Sequence, residues 1–192
     1  MFTDPPYFVP ADFYATRREW PRSLADMGIL DGYFWSFFQE CKRVVKSTGA
    51  ILMFCDGNSY PIFYCHAYPF SRMVRALVWD KGRSLLGRDW RHQYELVMFA
   101  PRTERKGKDT GQGDIIRYEP VGINDRVHPA QKPVGLISKI LAACRQDGDK
   151  VLCDPFCGTG TIGKAARGLG FDVLESDYIG EPPTARPLDT YG

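Results

Sequence analysis

The chain has 192 residues, of which 44% are hydrophobic and 25% are charged, and this predicts one globular domain over 1–192 with a substantial core. No run reaches the roughly 18 apolar residues of a membrane span, and no charged-then-apolar leader precedes a cleavage site, so we expect a cytoplasmic protein without a membrane partner. The formal net charge of +2 is too small to indicate nucleic-acid binding by itself.

The first third of the chain combines a long helical pattern with a short apolar run. Residues 31–46 are predicted to form a helix, because apolar side chains recur at three-to-four spacing, Asp31 can cap the start and Gly49 suits the end. Residues 50–55 are predicted to form a buried strand, and a second helix is predicted at 58–67. A helix followed by a buried strand is typical of a parallel sheet.

The middle of the chain contains two strand-like runs and a long segment without periodicity. Strands are predicted at 73–79 and 94–100, antiparallel around a basic loop at 80–91. Segment 101–127 holds four glycines and two prolines, so we interpret it as a loop or small insert. Loops of this length in compact domains tend to be functional or disordered.

The last third returns to alternating helices and strands. Helices are predicted at 133–145, which has proline in its first turn, and at 161–169. Strands are predicted at 150–153 and 171–176. The last fifteen residues hold three prolines and are expected to form a tail.

A glycine-rich block links the strand at 150–153 to the helix at 161–169. It reads Asp154-Pro155-Phe156-Cys157-Gly158-Thr159-Gly160-Thr161. Glycines in a strand-loop-helix unit let the backbone approach a ligand, and the helix start offers N–H groups to an anion. A nucleoside ligand also needs an acid at the end of the next strand to accept hydrogen bonds from the ribose hydroxyls. Asp177 has that position, and Glu175 is the alternative if the strand register differs by two.

Near the start of the chain, Asp4-Pro5-Pro6-Tyr7 resembles the catalytic loop of a DNA amino-methyltransferase, and this resemblance implies chemistry on an amino group of a base. Adenine N6 is a poor nucleophile, because its lone pair is conjugated into the ring. The Asp4 carboxylate and the Pro5 carbonyl can accept hydrogen bonds from the amino protons and so favour a tetrahedral nitrogen, while the prolines stiffen the backbone. Tyr7 offers a ring on which an extruded base can stack. As four letters alone, the motif is also an ordinary proline turn.

Together with a third motif, these segments resemble one protein family. The third motif is His128-Pro129-Ala130-Gln131-Lys132-Pro133. With the Asp4 motif first and the glycine-rich block last, the chain resembles the circularly permuted, beta-type N6-adenine/N4-cytosine DNA methyltransferases. The resemblance implies a Rossmann-like α/β sheet in circularly permuted order, with S-adenosylmethionine as cofactor and double-stranded DNA as partner.

The resemblance also implies roles for individual residues. The family's D-P-F-x-G-[ST]-G-T loop wraps the methionine end of the cofactor, with Phe156 packing on it, and the family's H-P-T-Q-K-P segment lies at the amino-acid end, where Ala130 replaces the usual Thr. Cofactor binding is thus assigned to Asp154, Pro155, Phe156, Gly158, Thr159, Gly160, Thr161, Asp177, Gln131 and Lys132. Catalysis is assigned to Asp4, Pro5, Pro6 and Tyr7.

The implied reaction is methyl transfer to an exocyclic amino group after base flipping. Adenine N6 is favoured over cytosine N4, because the family's N4-cytosine members more often carry Ser in place of Asp4. The six cysteines form no C-x2-C zinc pattern and none follows a proline, which argues against a metal site and against a cytosine-C5 enzyme. Methylation of RNA or a protein amide, a catalytically silent DNA-binding subunit and a metabolic α/β protein remain alternatives.

Basic residues cluster in the middle of the chain, as phosphate binding requires. The candidate DNA contacts are Arg83, Arg88, Arg91, Arg102, Arg105, Lys106 and Lys108. Segment 101–127 is the candidate target-recognition insert, and its small size predicts a short recognition sequence or weak specificity. A homodimer on DNA is a further expectation.

The start of the chain is short for this family. Only Met1-Phe2-Thr3 precede Asp4, whereas a central strand typically needs about five or six residues. We therefore expect a truncated first strand. A start further upstream, a degenerate copy of the family or a partner that completes the sheet would each account for it.

Overall fold

The computed structural model describes residues 1–6, 24–84, 89–122, 124–125, 127 and 131–177. In chain order the elements are β1 (Phe2–Thr3), α1 (Leu24–Val44), β2 (Ala50–Cys55), α2 (Tyr60–Ala67), β3 (Arg75–Asp80), β4 (Tyr94–Pro101), β5 (Ile115–Arg117), α3 (Val134–Cys144), β6 (Val151–Asp154), α4 (Thr161–Gly168) and β7 (Asp172–Glu175). In the part of the chain described, no helix is both long and apolar enough to cross a membrane.

The strands form a mixed five-stranded sheet and a parallel pair. The five-stranded sheet has the order β1-β2-β4-β3-β5, and β6 pairs with β7. Strand β1 is parallel to β2 and β5 is parallel to β3, while β4 is antiparallel to both of its neighbours. The predicted α/β class is therefore confirmed, and so is the antiparallel pairing expected for the two middle strands. The circular permutation stays a prediction.

Strand β1 is short but tightly held between the two sheets. The Met1 amino group donates to the Ala50 carbonyl at 2.8 Å, and the Leu52 N–H donates to the Met1 carbonyl at 2.9 Å. On the other side, β1 packs beside β6, and Thr3 Oγ1 donates to Asp154 Oδ1 at 2.7 Å. This two-residue strand therefore places the segment that follows it, which begins at Asp4, next to the end of β6.

The core lies on both faces of the five-stranded sheet, which explains why β2 is apolar at every position. Alternate β2 side chains point to opposite faces. Leu52 and Phe54 pack towards the α3 and α4 side, whereas Ile51 and Met53 pack towards α1 and α2. Helix α1 begins seven residues earlier than the sequence predicted, at Leu24 rather than at 31.

One sequence prediction needs correction here. Segment 101–127 was expected to be a loop or insert, but it contains β5, which pairs with β3 at the edge of the sheet. Ile116 is buried in the core while Ile115 is exposed, and Trp79 Nε1 donates to the Tyr118 carbonyl at 2.7 Å. Part of the candidate recognition segment therefore belongs to the five-stranded sheet.

Candidate active site

Two of the three motifs meet at one edge of the sheet. Asp4 follows β1 and Asp154 ends β6, so both lie beyond the carboxyl ends of these strands. The antiparallel register pairs Asp80 with Tyr94, so the β3–β4 hairpin reaches the same side, which we call the carboxyl edge. The opposite side, where Ala50 pairs with Pro101, is the amino edge. In open α/β sheets, ligands bind outside the carboxyl ends of the strands.

Asp154 is a fully buried carboxylate at the start of the glycine-rich block. Its Oδ1 accepts hydrogen bonds from Thr3 Oγ1 at 2.7 Å and from the Phe156 N–H at 3.2 Å. Its Oδ2 is buried without a hydrogen-bond partner among the described residues. Burial is the main cause that raises the pKa of Asp154 to about 6, and the carboxylates of Asp4 and Glu175 add to the rise. A polar or cationic ligand group would satisfy this oxygen.

The glycine-rich block has the backbone conformation that its glycines allow. Gly158 and Gly160 have φ values of 47° and 71°, in the left-handed region that glycine adopts without strain. The Gly158 N–H donates to Asp177 Oδ2 at 2.8 Å, so the acid after β7 reaches the loop. The hydroxyls of Thr159 and Thr161 lie 2.9 Å apart. The structure thus brings together the block and the acid that the sequence paired with it.

Glu175, the alternative acid, has a different environment. It contacts the guanidinium of Arg167, and its Oε1 is buried without a hydrogen-bond partner in the described ranges. A Cβ added at Gly163 would lie 1.9 Å from that Oε1, so the glycine in α4 makes room for the carboxylate. Sequence reasoning missed Gly163, although a glycine inside a short helix usually has a packing reason.

Lys132 is a buried cation between two carboxylates. It was assigned to the cofactor, but its Nζ lies 3.0 Å from Asp4 Oδ2 and 3.2 Å from Glu95 Oε2. The side chain is 6% exposed, and its ammonium lies 5.0 Å from the centre of the Phe54 ring. This lysine pairs with the candidate catalytic carboxylate, and its contact with the cofactor stays a prediction.

Glu95 is a further site residue that sequence reasoning missed. Its Oε1 lies 2.7 Å from Lys81 Nζ, and its Oε2 contacts Lys132, so Asp4, Lys132, Glu95 and Lys81 form one chain of alternating charge. Burial alone would raise the pKa of Glu95, but the two ammonium groups more than offset it and lower that pKa. The available signal was a lone acid inside the otherwise apolar pattern of β4.

The remaining predicted site residues differ in their burial and contacts, and some lie outside the described residues. Gln131 Oε1 accepts a hydrogen bond from the Val127 N–H at 2.9 Å. The Phe156 ring packs against Phe37 of α1, with ring centres 5.4 Å apart. Pro5 is buried, and Pro6 and Pro155 are half-buried. Tyr7, Arg88 and the segment His128-Pro129-Ala130 lie outside the described residues.

The predicted DNA contacts divide between the two edges of the sheet. Arg83 and Arg91 are exposed on the β3–β4 hairpin at the carboxyl edge. Arg102, Arg105, Lys106 and Lys108 lie at the amino edge, because β4 runs away from the active site. These four residues therefore lie at the edge opposite to Asp4 and Asp154, and their contact with DNA stays a prediction.

Two of these four residues, Arg102 and Arg105, are buried, and their guanidinium groups bind other groups of the protein. Arg102 donates to the Lys42 carbonyl at 3.0 Å and stacks on Phe70, and Arg105 pairs with Asp149 at 2.8 Å. A cleft of about 500 Å³ opens nearby, between β3, the 105–114 loop and α3. Both guanidinium groups are buried in contacts within the protein, and Arg102 Nε has no hydrogen-bond partner among the described residues.

Comparisons with known proteins find the family that the motifs of the site indicate. Residues 1–180 match the model of the N6_N4_Mtase family, described as DNA methylase. The chain belongs to this DNA methylase family. It is 26% identical over 218 aligned residues to the type II methyltransferase M.HinfI of Haemophilus influenzae, with 93% of this chain covered. The chain spans 60% of the length of that relative.

Solved methyltransferases share the fold of this methylase. The M1.HpyAVI–SAM complex is 18% identical, with a TM-score of 0.63, over 93% of this chain and 82% of its own. The cytosine-N4-specific PvuII DNA methyltransferase is 14% identical, with a TM-score of 0.70, over 91% of this chain and 73% of its own. The predicted DNA methylase family is thereby confirmed, and its permuted beta-type order stays a prediction. The first of these solved structures holds SAM, the cofactor that the sequence predicted.

The residues present fit this cofactor. S-adenosylmethionine carries a sulfonium and an ammonium group. The methylase offers the buried Asp154 Oδ2, which has no hydrogen-bond partner among the described residues, beside a loop whose positive φ angles favour glycine. Asp177, next to Gly158, provides a carboxylate of the kind that ribose hydroxyls require.

Cofactor affinity is expected to depend on the ionisation of Asp154. With a pKa of about 6, this carboxyl group is mostly protonated at pH 5 and charged at pH 7.5, so affinity for the cationic cofactor should rise about tenfold between them. The unliganded protein should show the opposite trend. A raised pKa means that the folded state binds more protons than the unfolded chain, so the free energy of unfolding falls from about pH 4 to pH 6.

Calorimetric titration and urea unfolding across this pH range would measure both trends. Asp154→Asn is the matched control, because it is nearly isosteric and does not titrate. Equal pH dependence in the variant and the original chain would show that another group is responsible.

Proposed function

We propose that this methylase transfers the methyl group of S-adenosylmethionine to an exocyclic amino group of DNA, with adenine N6 as the favoured acceptor. The observation that carries the proposal is that Asp4 and the Asp154 block meet at the carboxyl edge. Thr3 connects them directly, since it precedes Asp4 and donates to Asp154 at 2.7 Å. An acceptor for amino protons and a loop for a methyl donor thus lie side by side.

Asp4 would act by accepting a hydrogen bond from the target amino group. The Lys132 ammonium 3.0 Å away stabilises Asp4 as a carboxylate, which is the form that can only accept. The Pro5 carbonyl is the second proposed acceptor, and the buried pyrrolidine ring fixes the backbone there. Pro6 would stiffen the same turn, and Tyr7 would stack on the extruded base. Positioning and electrostatics then supply most of the rate.

Cofactor binding is proposed for the glycine-rich block and Asp177. When bound, the cofactor supplies an electrophilic methyl group on a sulfonium. The loop glycines admit the ligand, Asp154 favours its positive charge and Asp177 suits the ribose hydroxyls. Phe156, Thr159, Gln131 and Lys132 stay proposed contacts of the cofactor.

The preference for adenine rests on Asp4. The N4-cytosine members of the family more often carry Ser at this position, and a carboxylate is the stronger acceptor for amino protons. The PvuII enzyme, which shares this fold, is cytosine-N4-specific. Cytosine N4 is therefore the second candidate, with the same mechanism.

We propose that DNA approaches the carboxyl edge on the β3–β4 hairpin. Trp90 is 93% exposed there, between the arginines at 83 and 91. An exposed indole flanked by cations suits stacking on bases beside phosphates. A homodimer on DNA and a partner that extends β1 stay predictions.

Substitutions at the carboxyl edge and at the amino edge should differ in their effect on DNA affinity. Arg91→Ala and Trp90→Ala are each expected to weaken DNA binding about five- to tenfold, because each removes a contact worth roughly 1 kcal/mol or more. Lys106→Ala is the matched control, since it removes an exposed cation at the amino edge and should change affinity less than twofold. Fluorescence anisotropy with labelled duplex at fixed salt measures this. A larger loss in the control would place DNA on the other edge.

The substrate class is tested by label transfer. The chain is incubated with methyl-labelled cofactor and, in parallel, with unmethylated DNA, RNA and a protein mixture. Label in DNA alone supports the proposal. Label in RNA or protein would favour the related enzymes, and cofactor binding without transfer to any substrate would favour a silent DNA-binding subunit.

A further inference from the structure

Glu95 is the centre of the charge chain, and it lies on a different strand from both motifs. It projects from β4, and its two oxygens contact two lysines from different segments, Lys81 after β3 and Lys132 before α3. Lys132 also contacts Asp4, at 3.0 Å. Glu95 therefore influences the candidate catalytic carboxylate through Lys132.

Because the charge chain is mostly buried, the position of each charged group depends on its partner. The Lys132, Lys81 and Glu95 side chains are 6%, 10% and 21% exposed, so water screens them poorly. Each ammonium also lies against an aromatic ring, Lys132 on Phe54 at 5.0 Å and Lys81 on Trp79 at 5.1 Å. A buried charge that loses its partner is strongly unfavourable, so the geometry of each pair depends on the next.

We propose that Glu95 is a positioning residue for methyl transfer, because it holds the Lys132 ammonium in the place where it orients Asp4. This inference rests on the proposed function of Asp4. Without the Glu95 charge, Lys132 would lose the carboxylate that lies 3.2 Å from it on the side away from Asp4, and its position beside Asp4 would shift. Asp4 would then be displaced from the geometry that the amino group needs, while the glycine-rich block would be unaffected.

The test is a double-mutant cycle on the rate of single-turnover methyl transfer to DNA. Glu95→Gln keeps the shape of the side chain and is expected to lower the rate about tenfold, with cofactor affinity unchanged within twofold. In a Lys132→Met background, the same substitution should change the rate less than twofold, because the lysine that connects it to Asp4 is absent. Glu104→Gln is the matched control, since its carboxylate accepts from Ser47 at the amino edge.

The outcomes separate this inference from the proposed function. A Glu95→Gln rate equal to that of the unmodified chain overturns the inference, and so does a tenfold loss that persists without Lys132. Loss of cofactor affinity with an unchanged saturated rate overturns it too. If Glu95→Gln does not fold, Lys81→Met tests the same chain from its far end, and an unaffected rate there overturns the inference. Absence of transfer by the unmodified chain would overturn the proposed function itself.

Discussion

Asp4→Ala is expected to lower methyl transfer about 10³-fold while cofactor affinity stays within about twofold of the original value. The substitution removes the acceptor for the amino protons, but it leaves Asp154, the loop glycines and Asp177 in place. Single-turnover transfer at saturating cofactor and DNA gives the rate, and calorimetric titration gives the affinity.

A surface acid provides the control for Asp4. Asp109→Ala removes an exposed carboxylate that only caps its own turn, through the Gly111 N–H, and should leave both quantities unchanged. If Asp4→Ala lost cofactor affinity but turned over normally at saturation, Asp4 would belong to the cofactor site and the assigned role would be wrong.

Arg105→Met is expected to give the largest loss of stability, about 3 kcal/mol. Arg105 is 4% exposed, and it donates to the carbonyls of Thr48 and Cys144 as well as to Asp149. The variant keeps much of the apolar volume but leaves Asp149 and two carbonyls without their donor. Burial alone would raise the pKa of Asp149, whereas the hydrogen bonds from Arg105 and from the Gln146 N–H lower it, so the substitution removes the main group that stabilises this carboxylate.

Its neighbour is the matched control. Lys106→Met removes an exposed cation next in the chain and should change the free energy of unfolding by less than about 0.5 kcal/mol. Urea denaturation measures both variants. If Arg105→Met instead weakened DNA binding at unchanged stability, the original prediction that Arg105 contacts DNA would be right.

The sequence predicted those elements whose burial produces a regular pattern. Strand β2 is apolar throughout because it is covered on both faces, and its predicted bounds, 50–55, match the structure. Strand β5 was missed because only Ile116 of its three residues is buried, which is too short an alternation to recognise. The glycine-rich block was recognisable because its backbone conformation requires glycine at fixed positions.

Long-range charge pairing could not be predicted in the same way. Asp4, Lys81, Glu95 and Lys132 are far apart in the chain, and they meet only because of the order and register of β1, β2, β4 and β3. The clustering of basic residues along the sequence does not show how the strands separate them. Strand β4 runs from the carboxyl edge to the amino edge, so Arg91, which precedes it, and Arg105, which follows it, lie at opposite edges.

The most direct test of the central claim is nucleoside analysis of unmethylated DNA after reaction with labelled S-adenosylmethionine, because it identifies the atom that is methylated. The account predicts label in N6-methyladenosine from the unmodified chain and none from Asp4→Ala. Label in N4-methylcytosine would keep the mechanism but contradict the preference for adenine. A folded, cofactor-binding chain that labels no DNA base would contradict the claim that this site performs methyl transfer.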